Sequence, residues 1–232
     1  MTLPLVLLPG MMCDARLFVP QIDVLSARGP VTVGDISGYD NMAALAQAVL
    51  SDAPPVFALG GLSMGGIVAM EMMRQAPERI AKLCLMDTNP MAEGDTVKAR
   101  RGPQIDKAQA GQLDDVMRNE MKPNYLAQGL RRTALLDMCM EMALELGADA
   151  FVRQSLALRD RRDQCDTLRG VRVPTLVLCG REDRLCPIER HHLMQELIGG
   201  SVLEIIEGAG HLPTLEQPQQ TTAVLIRWME EA

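Results

Sequence analysis

The sequence predicts an α/β fold built on a parallel sheet, and three observations predict it. Short apolar runs, each suited to a strand buried on both faces, alternate with segments of helical periodicity. A glycine-bracketed serine stands between the third run and a helix. The alternation breaks once, from Met91 to Leu168, where the pattern is helical throughout, and then resumes.

Leu3 to Leu8 is the first strand, closed by Pro9-Gly10. Asp14 then suits the N-cap of a helix running to about Ala27. Val31 to Ile36 is the second strand and Met42 to Ser51 a helix. Val56 to Leu59 is the third strand, followed by the serine turn and a helix that Pro77 stops near Ala76. Ile80 to Met86 is the fourth, ending in Asp87-Thr88-Asn89-Pro90. The helical break holds amphipathic stretches at Gln112 to Met121, Tyr125 to Leu146 and Ala148 to Asp160. Pro174 to Gly180 is the fifth strand, Ile188 to Leu197 a helix, Val202 to Ile206 the sixth strand, and Pro213 to Met229 contains the last helix. The expected organisation is a core of residues 1–90 and 169–232, with 91–168 inserted between the fourth and fifth strands. Charge supports that division: residues 91–170 hold 13 Lys and Arg and 13 Asp and Glu, so the whole net charge of −7 comes from outside them. Ligands of open parallel sheets sit beyond the carboxyl ends of the strands, where a helical lid would make a pocket.

Composition narrows the function. A net charge of −7 argues against a nucleic-acid partner, because phosphate binding needs a basic face. No apolar run has the length of a membrane span. The amino-terminal stretch from Met1 lacks a basic start and a small-residue cleavage site, so it reads as strand rather than signal peptide, and the cytoplasm is the expected compartment. Six cysteines without a C-x-x-C pair fit buried, reduced thiols in such a chain. No metal set is visible, and Gly60 to Gly66 lacks the spacing of a dinucleotide fingerprint, so no cofactor is expected. The sequence carries no signal for an oligomeric state.

The chemistry centres on Gly61-Leu62-Ser63-Met64-Gly65-Gly66. Strand, sharp turn and helix at this spacing form a nucleophile elbow, in which a strained serine stands proud of the sheet edge and small residues let neighbouring backbone pass. A serine needs a base and an acid to orient that base. Of three histidines, His191 and His192 are neighbours in a helix, pointing apart, and read as surface or packing residues. His211 lies in the glycine-rich loop after the last strand, where it can reach back over the sheet. Gly180-Arg181-Glu182-Asp183 follows the fifth strand and offers Asp183 first and Glu182 second as the acid. Asp87 is an outside alternative, with capping of the first turn of the insertion as its simpler role. The oxyanion donors expected are the backbone N–H groups of Met64, after the serine, and Met11, in the loop after the first strand.

Leu7-Leu8-Pro9-Gly10, the elbow, Gly180 to Asp183 with Pro187, and Gly208-Ala209-Gly210-His211 occur in this order after the expected strands. Together they resemble the α/β-hydrolase family across the whole chain, and above all its small cap-bearing esterases and lactonases. The resemblance implies Ser63 as nucleophile, His211 as base, Asp183 as its orienter, the Met11 and Met64 amides as oxyanion hole, and a helical cap near residues 91–165. It also implies a trimmed, six-stranded, largely parallel sheet with the first strand beside the elbow strand. Relatives usually carry His-Gly where Pro9-Gly10 stands, so the hydrogen bond by which that histidine steadies the loop is missing here. A serine nucleophile separates this chain from the dehalogenases and epoxide hydrolases of similar fold, which use aspartate.

The resulting expectation is a serine hydrolase of a small-molecule ester, thioester or lactone with a small apolar acyl group. Acyl transfer, C–C cleavage or elimination on the same triad, and a receptor-like binding protein, are the alternatives. Met117, Met121, Met138, Met140 and Met142, with Tyr125 and Phe151, either pack the insertion or line an adaptable apolar pocket.

Overall fold

The computed structural model describes residues 3–230. Met1 and Thr2, which belong to the stretch read above as strand rather than signal, lie outside the described residues. Six strands form one sheet: β1 (Leu5–Leu8), β2 (Val31–Val33), β3 (Phe57–Leu62), β4 (Ile80–Met86), β5 (Thr175–Gly180) and β6 (Val202–Ile206). Their order is β2-β1-β3-β4-β5-β6 and every pairing is parallel, so β1 lies beside the elbow strand β3. Strands β1, β3 and β5 are buried along their full length, which is why they read as unbroken apolar runs. At the edges β2 and β6 stay partly exposed.

The two-residue period of a strand divides the core. Val6, Leu8, Leu59, Leu83, Leu85 and Val177 face one side, with α2 (Met42–Asp52), α3 (Met64–Gln75) and α8 (Ile188–Leu197). Leu5, Leu7, Ala58, Cys84, Leu176 and Leu178 face the other, against α1 (Val19–Leu25) and α10 (Pro218–Glu230). Between β4 and β5 the regular elements of the described chain are all helical, with α4 (Asp95–Lys107), α5 (Leu113–Asp115), α6 (Arg132–Arg159) and α7 (Cys165–Arg169). Among the described residues no helix is long and apolar enough to cross a membrane.

Several boundaries differ from the sequence reading, each for a local reason. Asp14 caps a 3-10 turn, Ala15–Phe18, by accepting from Arg16 N at 2.9 Å, and α1 starts only after it with Pro20 in its first turn. The stretch from Tyr125 is not helical until Arg132, because Pro123 sits in a 3-10 turn, Lys122–Asn124, and the Tyr125 carbonyl is engaged elsewhere. Gly147, at φ 80° and ψ 174°, interrupts α6 between the two helices expected from sequence. Gln112 to Met121 is mostly π-helical rather than a plain amphipathic helix. Pro218 separates α9 (Pro213–Glu216) from α10. Met117, Met140 and Met142 are core residues, which favours packing for them.

Candidate active site

The carboxyl ends of β1, β3, β4, β5 and β6 each contribute one loop to a single cluster. Ser63 follows β3 at φ 55° and ψ −115°, a conformation that costs an L-residue roughly 1–3 kcal/mol. Its surroundings hold it there. Ser63 N donates to Met86 O at 2.9 Å and the Thr88 hydroxyl donates to Ser63 O at 2.7 Å. The flanking glycines are needed for close approach: a Cβ on Gly61 would lie 2.3 Å from Gly65 O, and one on Gly65 would lie 2.1 Å from Leu8 O. These contacts are with backbone, which cannot swing aside.

His211 Nε2 lies 2.9 Å from Ser63 Oγ, and His211 Nδ1 lies 2.8 Å from Asp183 Oδ2. An ionised carboxylate only accepts, so Nδ1 carries the proton and Nε2 presents its lone pair to the serine hydroxyl. The other Asp183 oxygen accepts from the amides of Leu185 at 2.8 Å and Cys186 at 3.0 Å. Burial acts to raise the Asp183 carboxyl, but the electrostatic interaction and hydrogen bond with His211, with those two amides, outweigh it and hold the group below the usual carboxylate range. Glu182, the second choice for the acid, is exposed and contributes only its backbone N–H, donated to Ala209 O.

Asp87 does not cap the insertion, whose first helix starts only at Asp95. It is fully buried at φ 44°, and its Oδ1 accepts from Gly180 N at 2.9 Å. Burial first and the neighbouring Asp183 charge second raise its carboxyl well above the ordinary range, which favours the protonated form behind Asp183. Asp183, Cys186 and His211 offer possible metal-ligand atoms within 4.8 Å of one another. Two of the three are bonded to each other, and burial with the two aspartates keeps the Cys186 thiol protonated, so the set is poorly suited to a cation.

The amide of Met64 opens α3, among the helix N-terminal donors that lack an intrahelical acceptor. Gly10 lies against the serine, since a Cβ there would stand 3.5 Å from Ser63 Cβ, and Met11 is the next residue. The amides beyond it are occupied: Met12 N donates to Gln154 Oε1 at 2.8 Å and Cys13 N to Gly10 O at 3.1 Å.

Four residues around the cluster escaped the sequence reading. His191, read as surface or packing, is fully buried and its Nε2 accepts from Thr88 N at 3.2 Å. Burial lowers its pKa to about 4, so it is neutral. His192 is exposed. Thr88 itself braces the elbow, and Gln154, fully buried in α6, joins Met12 N to Ile36 O. Glu216 accepts from the amides of Gly210 and Leu212 at 3.0 Å and Ala127 at 2.8 Å, tying the histidine loop to the insertion, while His211 N donates to Tyr125 O at 2.7 Å. Only Gln154 had a signal in sequence, the unsteadied Pro9-Gly10 loop, and that signal gave no position.

Comparison with known proteins agrees with this architecture. A model of the alpha/beta hydrolase family matches residues 5–224. The pimeloyl-[acyl-carrier protein] methyl ester esterase of Aliivibrio salmonicida is 25% identical, over 97% of this chain and 92% of its own. A thermophilic esterase from Thermogutta terrifontis, solved with malate bound, superposes with a TM-score of 0.90 at 28% identity, covering 98% of this chain and 89% of that one. The enol-lactonase of Burkholderia xenovorans shares the fold at a TM-score of 0.89 and 19% identity, covering 100% of this chain and 92% of its own. With a family model spanning nearly all of it and the sheet order described above, the chain belongs to the alpha/beta hydrolase family.

Proposed function

We propose that the protein is a serine hydrolase that cleaves a carboxylic ester, thioester or lactone of a small, largely apolar acyl group through an acyl-enzyme. The observation that carries this reading is the line Ser63 Oγ, His211 Nε2, His211 Nδ1, Asp183 Oδ2, with contacts of 2.9 and 2.8 Å. The names of the relatives, two esterases and an enol-lactonase, support ester chemistry.

In this reading His211 Nε2 takes the hydroxyl proton as Ser63 Oγ adds to the substrate carbonyl. The tetrahedral oxyanion accepts from Met11 N–H and Met64 N–H, and the positive end of α3 favours that charge. Collapse breaks the bond to the leaving alcohol, thiol or ring oxygen, which receives the proton from Nε2 and leaves Ser63 acylated. Water then adds to the acyl-enzyme while His211 takes its proton; collapse returns that proton to Ser63 Oγ and releases the acid. Asp183 stays ionised throughout and stabilises the imidazolium.

Residues 91–168 are proposed as a cap on a core of 1–90 and 169–232. Supporting this, α6 reaches across the ends of β1 and β2 through Gln154 and through Arg153, which donates to Ser37 O at 2.7 Å. The cytoplasm is the proposed compartment, in keeping with six free thiols.

The test is labelling with a fluorophosphonate probe, followed by assay on p-nitrophenyl esters of rising chain length. Wild type is expected to label and turn over, and Ser63→Ala to do neither. Labelling without turnover of any ester would favour elimination or binding instead, and absence of labelling would remove the nucleophile.

A further inference from the structure

Two arginines of the insertion share one carboxylate in a nearly dry site. Arg101, in α4, and Arg161, beyond α6, have side chains 9% and 7% exposed. Both pair with Glu93, Arg101 Nε to Oε2 and Arg161 Nη1 to Oε1 at 2.6 Å, and Arg161 Nε also donates to Met91 O at 3.0 Å. Among the described residues no other carboxylate lies within ion-pair distance of either guanidinium. One positive charge is therefore left uncompensated. Burial of such a charge is costly unless a partner is supplied.

The free edge of that charge belongs to Arg101. Its Nη1 touches only the Met11 thioether, 3.9 Å away, which is a weak acceptor, and no described residue accepts from its Nη2. Arg161, by contrast, has its Nε and Nη1 both engaged. The Met11 thioether lies beside the guanidinium. Met11 also borders the Ser63–His211 cluster, because it follows the glycine that lies against Ser63.

We propose that Arg101 is a specificity residue that binds a second carboxylate on the substrate, so that the preferred ester or lactone is an anionic one, with its charge a few methylenes from the scissile carbonyl. A guanidinium with two neighbouring N–H groups that lack a strong acceptor matches a carboxylate in both geometry and charge, and the buried surroundings, Met11 among them, strengthen the pair. Glu93, itself held by Arg161, anchors the Arg101 side chain through Nε and leaves its Nη groups to the ligand. The inference rests on the serine hydrolase reading above.

The experiment compares p-nitrophenyl hemiesters of succinate, glutarate and adipate with their neutral methyl-ester twins, in wild type and in Arg101→Met and Arg101→Lys. A further pair, 4-acetoxybenzoate and phenyl acetate, places the charge on the alcohol side instead. Arg101→Met is expected to lower kcat/KM by about 10- to 100-fold on one charged series, the worth of a desolvated charge-assisted hydrogen bond, with its neutral twin changed by less than about threefold. Arg101→Lys should recover part of the loss. The series affected tells whether the carboxylate lies on the acyl or the alcohol side. Equal losses on charged and neutral esters, or none, would overturn the proposal. Should Arg101→Met fail to fold, wild type alone decides: preference for the neutral twins refutes an anion site, and preference for one charged series supports it. Turnover of neither kind, with no fluorophosphonate labelling, would instead refute the hydrolase reading beneath it.

Discussion

The Thr88 hydroxyl donates to the Ser63 carbonyl at 2.7 Å, which ties the loop after β4 to the strained residue after β3. The brace extends backward, because Thr88 N is itself held by the neutral ring of His191. Strain at Ser63 therefore persists because a buried polar chain from α8 holds it, and removing a link should be felt at the serine.

Thr88→Val keeps the shape and deletes the donor. Leaving the Ser63 carbonyl without this partner should cost about 1–2 kcal/mol, read as a fall in kcat of roughly 5- to 30-fold with KM little changed. Steady-state kinetics on a neutral p-nitrophenyl ester measure it, and an unchanged kcat would show that the brace is not needed for geometry at Ser63.

Gln154→Leu should loosen the loop that carries Met11. It strands Met12 N and Ile36 O, so stability should fall by about 2 kcal/mol and, with Met11 as the proposed oxyanion donor, kcat by about tenfold, because displacing such a donor weakens transition-state binding more than ground-state binding. Loss of stability with kcat intact would assign Gln154 to folding alone.

Glu216→Gln replaces one carboxylate oxygen by a donor in front of amides that are themselves donors. The histidine loop should detach from Ala127, with a fall of about 1–3 kcal/mol in stability and a larger drop in kcat than in fluorophosphonate binding at saturation. Denaturant melts beside kinetics separate the two effects.

His191 should set the acid limit of stability. Its folded pKa, lowered by burial to about 4, lies below the unfolded value of about 6.5, so only the unfolded chain takes up a proton between them. This contribution is complete above the unfolded value and is lost as pH falls from about 6.5 to 4, by an amount of order 3 kcal/mol. Asp183, also held below its ordinary value, adds a loss of the same sign at lower pH. Denaturant melts at several pH values should show this slope in wild type and a flatter one between pH about 6.5 and 5 in His191→Gln. The same slope in both proteins would acquit His191.

What the sequence by itself determined is the part written in short-range patterns. Strands buried on both faces need unbroken apolar runs, so β1, β3, β4 and β5 were visible within a residue or a few, and strand-end glycines marked Ser63, Asp183 and His211 because close backbone contacts at 61, 65 and 180 admit no side chain. What only the tertiary structure decided is every feature whose partner is far along the chain. Asp183 and Glu182 are adjacent, and a turn alone does not say which carboxylate faces His211; the folded loop buries one and exposes the other. His191 looks like any helix residue until β4 places Thr88 against it, and the residues at 125–131 stay out of the helix because the Tyr125 carbonyl serves His211 N. Arg101 is one of many charges in a balanced segment, and becomes distinctive only when folding encloses it with a second arginine and a single glutamate. Local spacing fixes local backbone, whereas desolvation and pairing depend on which distant groups the fold brings together.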